Sequence, residues 1–459
     1  MRSQIRRKQQ MREFKIRDFL SVRRILYWRW KLWRSQYYSS EKMKALQWKL
    51  FSSMLDHCLE HVAYYKDEFK RLGLSRSDFR SLDDLSKLPV INKWTMLDNF
   101  ERFKADNMKK FRPTPCFTSG STGTPMAFLL DIHSNVIEMT CQWRHFSWTG
   151  YRLGQPFADI RNKILVTLED HKWNWQCRSL HIPAPAINAS NIGYYAELFK
   201  KHRIRFWRGH PSALHHLCLV MSDTGEKSMM PERIVCSGEP VLEYQRSFIE
   251  SFTGVRICDD FGLFEHTALI SQCPEGGYHV NPEYAIVEIL KEDGSHAKDG
   301  EEGRIVGTGL HNRIIPLLRY DTCDYAVQSS KTCTCGRTLP LLEKLTGRSI
   351  ERLLTADGRW ASEMRIAIKY GKNIRMSQFV QEKPGEIDLY IVPNKDGFSI
   401  EDSRKMFDEL TKYFGKTTVL RTHVVSEVPY HEPGKYKFVV NKLASASKPA
   451  ESALTASRR

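Results

Sequence analysis

Apolar and polar positions along the 459-residue chain change texture several times. Residues 1–40 interleave Leu20, Val22, Ile25, Leu26, Trp28, Trp30, Leu32 and Trp33 with Arg and Lys, which predicts a basic amphipathic helix or helices. Residues 41–110 keep helical spacing and remain highly charged. From about residue 111, short β-branched runs stand between Gly- and Pro-rich turns, with helical stretches between them. Examples are Ile164–Val166, Arg233–Cys236 and Arg256–Cys258. This alternation predicts a layered α/β architecture. Residues 278–325 read as antiparallel strands joined by turns, Ala285–Leu290 and then Arg304–Gly307. After Gly347 the order strand (Ile387–Val392), helix (Ile400–Phe414), strand (Thr418–Val424) predicts a small α+β domain. The Ala/Ser-rich stretch Ala444–Arg459 reads as a disordered tail. The expected divisions are an arm at 1–40, a large domain at 41–347, a small one at 348–443 and a tail at 444–459.

Composition narrows this picture. With 41% hydrophobic and 11% aromatic residues the chain can bury a core, which excludes wholesale disorder. No run of about 18 apolar residues occurs, so a membrane-spanning helix is not expected. The formal net charge is +17, but residues 1–40 hold twelve Lys/Arg against Glu13 and Asp18, a net +10. The rest is only mildly basic, so no nucleic-acid partner is expected. The arm has two main readings. Either it is a helix docked on its own domain with a solvated cationic face, or it makes peripheral contact with a membrane. Eleven cysteines and the absence of a secretory apolar segment favour a reduced, cytoplasmic protein that uses cysteine for packing or metal.

The chemistry-bearing candidates begin with Thr118, Ser119, Gly120, Ser121, Thr122, Gly123 and Thr124, followed by Pro125. Two glycines permit tight turns, four hydroxyls can donate to phosphate oxygens, and consecutive backbone N–H groups can cradle an anion. The apolar neighbours Cys116–Phe117 and Met126–Leu130 suggest a loop pinned between strands rather than a linker. Farther on come Ser237, Gly238, Glu239 and Pro240, then Asp259–Glu265 (Asp-Asp-Phe-Gly-Leu-Phe-Glu), Arg319–Asp324 (Arg-Tyr-Asp-Thr-Cys-Asp), Gly347-Arg348 and Pro433-Gly434-Lys435.

Four of these segments, in this order over about 320 residues, resemble the signature motifs of the adenylate-forming superfamily of acyl- and aryl-CoA synthetases. The resemblance spans roughly residues 50–443. It implies a large α/β domain with an antiparallel β-subdomain and a small, mobile α+β C-terminal domain. The hydroxyl loop would bind ATP phosphates, with Ser237–Pro240 and Phe261 against adenine and Asp260 and Gly262 also in the ATP site. Glu265 would hold magnesium, and Asp324 would bind the ribose hydroxyls. Arg348 would sit at the hinge between the domains. Lys435, with Lys437 as the fallback, would reach the reacting carboxylate and the α-phosphate. Cys323 stands where such proteins usually carry Gly, in a position suited to positive φ.

Cys273, His279, Cys333 and Cys335 form a C-x5-H … C-x-C pattern that suits a closed, structural zinc site. The alternative is four unrelated buried residues. Together with Gly277–Val280, Gly209–Ser212 and Gln378–Gln381, the pattern resembles the phenylacetate–CoA ligase branch and its CapK-like relatives in capsular polysaccharide biosynthesis. The implied activity has two steps. A carboxylic acid and ATP give an acyl-adenylate and pyrophosphate, and CoA or another acceptor then displaces AMP. The competing expectation is a catalytically weak nucleotide-binding scaffold of a membrane-associated complex. His210 reads as a structural histidine, with contact to the acyl substrate as the alternative, and the Trp143–Trp148 stretch as either acyl-pocket wall or core.

Overall fold

The computed structural model describes residues 22–117, 127–161, 172–175, 177–348, 353–358, 360–361, 368, 371–393, 398–401, 403–429 and 438–443. The main helices are α1 (Val22–Ser35), α2 (Ser40–His61), α3 (Ala63–Leu72), α4 (Ile132–Trp148), α5 (Ile192–His202), α6 (Pro211–Thr224), α7 (Glu243–Thr253) and α8 (Arg404–Phe414). Contacts divide the chain into two compact units. The larger holds residues 1–161, 165–241 and 249–345, and the smaller holds 162–164, 242–248 and 346–459.

In the larger unit, α2 and α3 bury Phe51, Met54, Leu55 and Phe69 against Phe79, Phe103 and the segment Ile314–Tyr320. Ser39 caps α2 by accepting from the Lys42 N–H, and Gly73 ends α3 at φ +65°, where a side chain would be strained. The same core takes in the hairpin of β1 (Thr114–Phe117) and β2 (Ala127–Leu130), which pair antiparallel with Phe117 opposite Ala127. The hydroxyl-rich segment 118–124 therefore joins two paired strands, although it lies outside the described residues.

Among the described residues the central sheet has twelve strands. Its parallel part is built from β3 (Phe157–Arg161), β5 (Ser179–Pro183), β6 (Phe206–Gly209), β7 (Arg233–Ser237) and β8 (Ile257–Gly262), in spatial order β5-β3-β6-β7-β8. Crossovers through α5, α6 and α7 connect successive parallel strands. β4 (Lys172–Asn174) pairs antiparallel at one edge. Beyond β8 lie β9 (Leu269–Gln272), β10 (Tyr278–Val280), β14 (Leu341–Arg348), β13 (Tyr320–Ser329), β12 (Glu302–Gly309) and β11 (Ala285–Leu290). The antiparallel pairing of β11 with β12 falls where the alternation at 278–325 predicts it. The run Ile164–Val166 lies outside the described residues.

α1 is docked. Ile25, Trp28 and Leu32 are buried, Trp28 and Leu32 against Ile137 and Cys141 of α4, and Ile25 against Val136 and Met139. At its end Ser35 donates to Glu283, a carboxylate also held by Arg144 of α4.

Among the described residues the smaller unit holds the pair β15 (Leu353–Leu354) and β16 (Trp360–Ala361) and a four-stranded sheet in the order β19 (Val419–Val424), β18 (Glu386–Pro393), β17 (Ile374–Lys383), β20 (Val439–Asn441). Phe379, Leu389, Ile391, Met406, Leu410 and Phe414 fill the space between this sheet and α8. The α/β class and the small α+β C-terminal domain are thus as expected. The tail at 444–459 and residues 1–21 lie outside the described residues.

Candidate active site and metal centre

In open α/β sheets, ligands collect at the carboxyl ends of parallel strands. Three of the expected segments lie at that edge or beside it. Ser237–Pro240 leave the end of β7, and Phe261-Gly262 close β8, its parallel neighbour, with Ser237 opposite Asp260. Gly238 takes φ +85°, and a Cβ there would meet His210 at 3.2 Å, so a side chain at this turn would be strained. Phe261 is half-buried on the cluster of Leu263, Ala268, Ile270 and Ile305. Glu265, also half-buried, sits on the turn that follows.

Asp324 lies in the antiparallel part of the sheet, on β13. β13 bulges against β12 between Arg304 and Val306. Within that bulge Thr322 Oγ donates to the Ile305 carbonyl at 2.9 Å and accepts from the Asp324 N–H at 3.1 Å. A Cβ on Gly307 of β12 would fall 2.2 Å from the Thr267 carbonyl, so the Glu265–Ala268 loop packs directly on that strand. Cys323 has φ +59°, the left-handed conformation anticipated for a glycine position.

Other expected residues are placed differently. The buried Asp260 carboxylate accepts from Ser271 Oγ at 2.9 Å and lies 3.3 Å from His145 Nδ1 on α4. Arg319 is structural. Its guanidinium forks onto Glu288 at 3.1 and 3.1 Å and donates to the Leu88 carbonyl at 2.6 Å. Thr118 to Thr124, Lys435 and Lys437 lie outside the described residues, as does the Arg348 side chain.

A charged network at the same edge escaped the sequence. Asp159 of β3 binds Arg161 Nε at 2.8 Å and lies 3.3 Å from His181 Nδ1. Arg161 Nη1 is 3.5 Å from His210 Nε2, whose Nδ1 is 3.5 Å from Glu239. Glu239 in turn accepts from Ser212 Oγ at 2.5 Å. Burial would raise the pKa of Asp159, but Arg161, His181 and Arg208 hold it well below the usual carboxylate range. Its traces in the sequence are Glu239, within the Ser237–Pro240 segment, and Gly-His-Pro-Ser at 209–212, where Pro211 opens α6 just beyond a strand end.

The second constellation is compact. The ligand atoms of Cys273, His279, Cys333 and Cys335 all lie within 4.8 Å of one another. Cys273 Sγ is 3.6 Å from Cys333 Sγ, and Cys335 Sγ is 3.3 Å from His279 Nε2. Ligands about 2.3 Å from a central ion stand roughly 3.8 Å apart at tetrahedral angles, so this set fits one zinc-sized ion. The 3.6 Å sulfur separation is also too long for a disulfide. A Cβ at Gly277 would meet Cys333 Sγ at 2.9 Å, which leaves the loop room for hydrogen only. Burial pushes the His279 ring down to about 4, so it is neutral and can ligate at ordinary pH. Burial, with Cys333 beside it, pushes the Cys273 thiol up to about 12, a penalty that a bound cation reverses. Trp148 packs edge-on to His279 and is buried with Met43 and Leu339, so it lines the Cys/His cluster.

Several known proteins resemble this chain in sequence or in fold. Residues 353–442 match the CapK C-terminal domain. The phenylacetate-coenzyme A ligase of Thermus thermophilus is 23% identical over 330 residues, covering 68% of this chain and 72% of the relative. That of Escherichia coli is 26% identical over 341 residues, covering 69% and 73%. In sequence this chain is similar to phenylacetate-coenzyme A ligases, and over residues 353–442 to the CapK C-terminal domain. Its fold matches the crystal structure of 2-hydroxyisobutyryl-CoA ligase in the postadenylation state, with a TM-score of 0.72 at 15% identity, over 90% of this chain and 92% of that one. An anthranilate CoA ligase in complex with anthranoyl-AMP matches with a TM-score of 0.51 at 16% identity, over 70% of this chain and 65% of that one. Ser237–Pro240, Phe261–Glu265, Asp324 and the Cys/His cluster all lie in the larger unit.

Proposed function

We propose that this protein is an AMP-forming acid ligase. It activates a carboxylic acid as its acyl-adenylate and passes the acyl group to CoA or another acceptor. The observation that carries this reading is the meeting of Ser237–Pro240 and Phe261–Glu265 at the carboxyl edge of adjacent parallel strands, with Asp324 on the strand pair packed against the same loop. The reaction needs no side-chain nucleophile, since the acid's own carboxylate oxygen attacks the α-phosphate and pyrophosphate leaves. The residues supply placement and charge. Phe261 offers a flat apolar face to a base. Asp324 offers acceptors to ribose hydroxyls. Thr118 to Thr124 offer hydroxyl and N–H donors to phosphate. Glu265 offers a hard carboxylate ligand for magnesium, which neutralises phosphate charge when bound. Lys435 neutralises charge developing between the carboxylate and the α-phosphate.

Cys273, His279, Cys333 and Cys335 would hold one zinc ion. Four protein ligands leave no open position, so its role is structural. The CapK-like C-terminal domain supports a setting in surface polysaccharide biosynthesis. There the basic residues 1–40 would hold a cytoplasmic enzyme at the inner face of the membrane. The test of the central assignment is Lys435→Ala. ATP binding is expected to persist while acid-dependent pyrophosphate exchange is lost. Undiminished exchange in that variant refutes the role given to Lys435.

A further inference from the structure

We infer that the outward face of α1 is a docking surface for an anionic lipid membrane. The helix has two apolar faces, and only one is used by the fold. Ile25, Trp28 and Leu32 are buried on the larger unit. At about 100° per residue, Leu26, Trp30 and Trp33 fall on the opposite side. They are 58%, 56% and 61% exposed. Among the described residues, six of the fourteen exposed large apolar side chains lie within residues 22–37, so they form a patch rather than a scatter. Leu26, Trp30 and Trp33, with Arg29, line a shallow groove of about 430 Å³.

The charge around this stripe selects its partner. Arg29 borders it on one side, and Arg23 and Arg34 on the other. The Arg34 guanidinium lies 5.0 Å from the Trp30 ring centroid, which keeps a cation at the rim of the apolar stripe. α1 contains no Asp or Glu, and residues 1–21 add seven more Lys/Arg against two acids. A second copy of the same face would oppose cation to cation. A surface of phosphate headgroups over acyl chains satisfies both features, since tryptophan rings seat at the headgroup boundary and arginines pair with lipid phosphates. No described helix is long and apolar enough to cross a membrane, so the contact is peripheral. The proposal rests on the ligase reading only for the reaction that it would bring to the membrane. The contact itself is independent of it.

The test is co-sedimentation of the full chain with vesicles of phosphatidylcholine alone and of phosphatidylcholine mixed with phosphatidylglycerol. Binding is expected only to the mixed vesicles, with release by high salt. A Leu26→Ser, Trp30→Ser, Trp33→Ser variant is expected to bind at least about tenfold more weakly. Its melting temperature should be unchanged, because the three side chains lie off the docked face. Absence of binding to mixed vesicles overturns the proposal, as does equal binding by the variant. A concentration-dependent dimer that the variant abolishes would instead assign the face to a second copy. Pyrophosphate exchange is measured on the same samples, so failure of the ligase reading and failure of the membrane contact are seen separately.

Discussion

Arg144→Met removes one half of an ion pair that ties three elements of the larger unit together. The Arg144 guanidinium is 3% exposed and the Glu283 carboxylate 0%. Nη1 and Nη2 reach the two carboxylate oxygens at 2.7 and 3.1 Å, and the same groups donate to the Leu32 carbonyl of α1 and to Asn281. Without the guanidinium, Glu283 stays buried with Ser35 as its remaining side-chain donor. Breaking a buried pair from one side costs about 3–5 kcal/mol. At roughly 2–4 °C per kcal/mol, melting of the larger unit drops by about 6–20 °C. Replacing both partners, Arg144→Met with Glu283→Met, leaves no uncompensated charge and is expected to recover most of the loss. Burial alone would raise the Glu283 pKa, but Arg144 and the hydrogen bonds from Arg144 and Ser35 hold it below the usual value. The pair's contribution is therefore complete above the unfolded carboxylate range and is lost as pH falls through the depressed folded pKa. The wild-type advantage over the double variant should shrink on acidification. Thermal and urea melts at neutral and acidic pH read these effects, and limited proteolysis reads release of α1. A single-variant loss below about 1 kcal/mol, or a double variant no better than the single, contradicts the reasoning.

Two further outcomes are expected. One zinc per chain should co-purify and be absent from Cys333→Ser, as read by elemental analysis; a folded wild-type protein without metal would remove the metal centre from the account. Cys323→Gly relieves the left-handed strain but adds freedom to the unfolded chain, for a net stabilisation of about 0.5 kcal/mol. A loss above about 1 kcal/mol on denaturant titration would mean that the Cys323 side chain has a further structural role.

The sequence discloses what is local. The Cys-x-Cys and Cys-x5-His spacings announce a ligand set because each pair sits in one short turn, at Gly276-Gly277 and before Gly336. The strands Ala285–Leu290 and Val419–Val424 show in β-branched runs. What stays hidden is pairing over long separations. Arg144 and Glu283 are 139 residues apart, and no periodicity joins them. The network of Asp159, Arg161, His210 and Glu239 forms only once β3, β6 and β7 lie side by side. β17 eludes the pattern because it buries Ser377, Gln378 and Gln381, and the Gln381 side chain bonds the Leu354 backbone at 2.7 Å in both directions. In α1 the apolar residues occupy both faces, so periodicity marks a helix without saying which side the fold covers.

The most direct test of the central claim is ATP–pyrophosphate exchange across a panel of aryl, fatty, hydroxy and amino acids. Exchange that depends on one class of acid is the expected result and would name the substrate class. Measurable ATP binding with no exchange for any acid would contradict an acid-activating enzyme and leave a nucleotide-binding scaffold in its place.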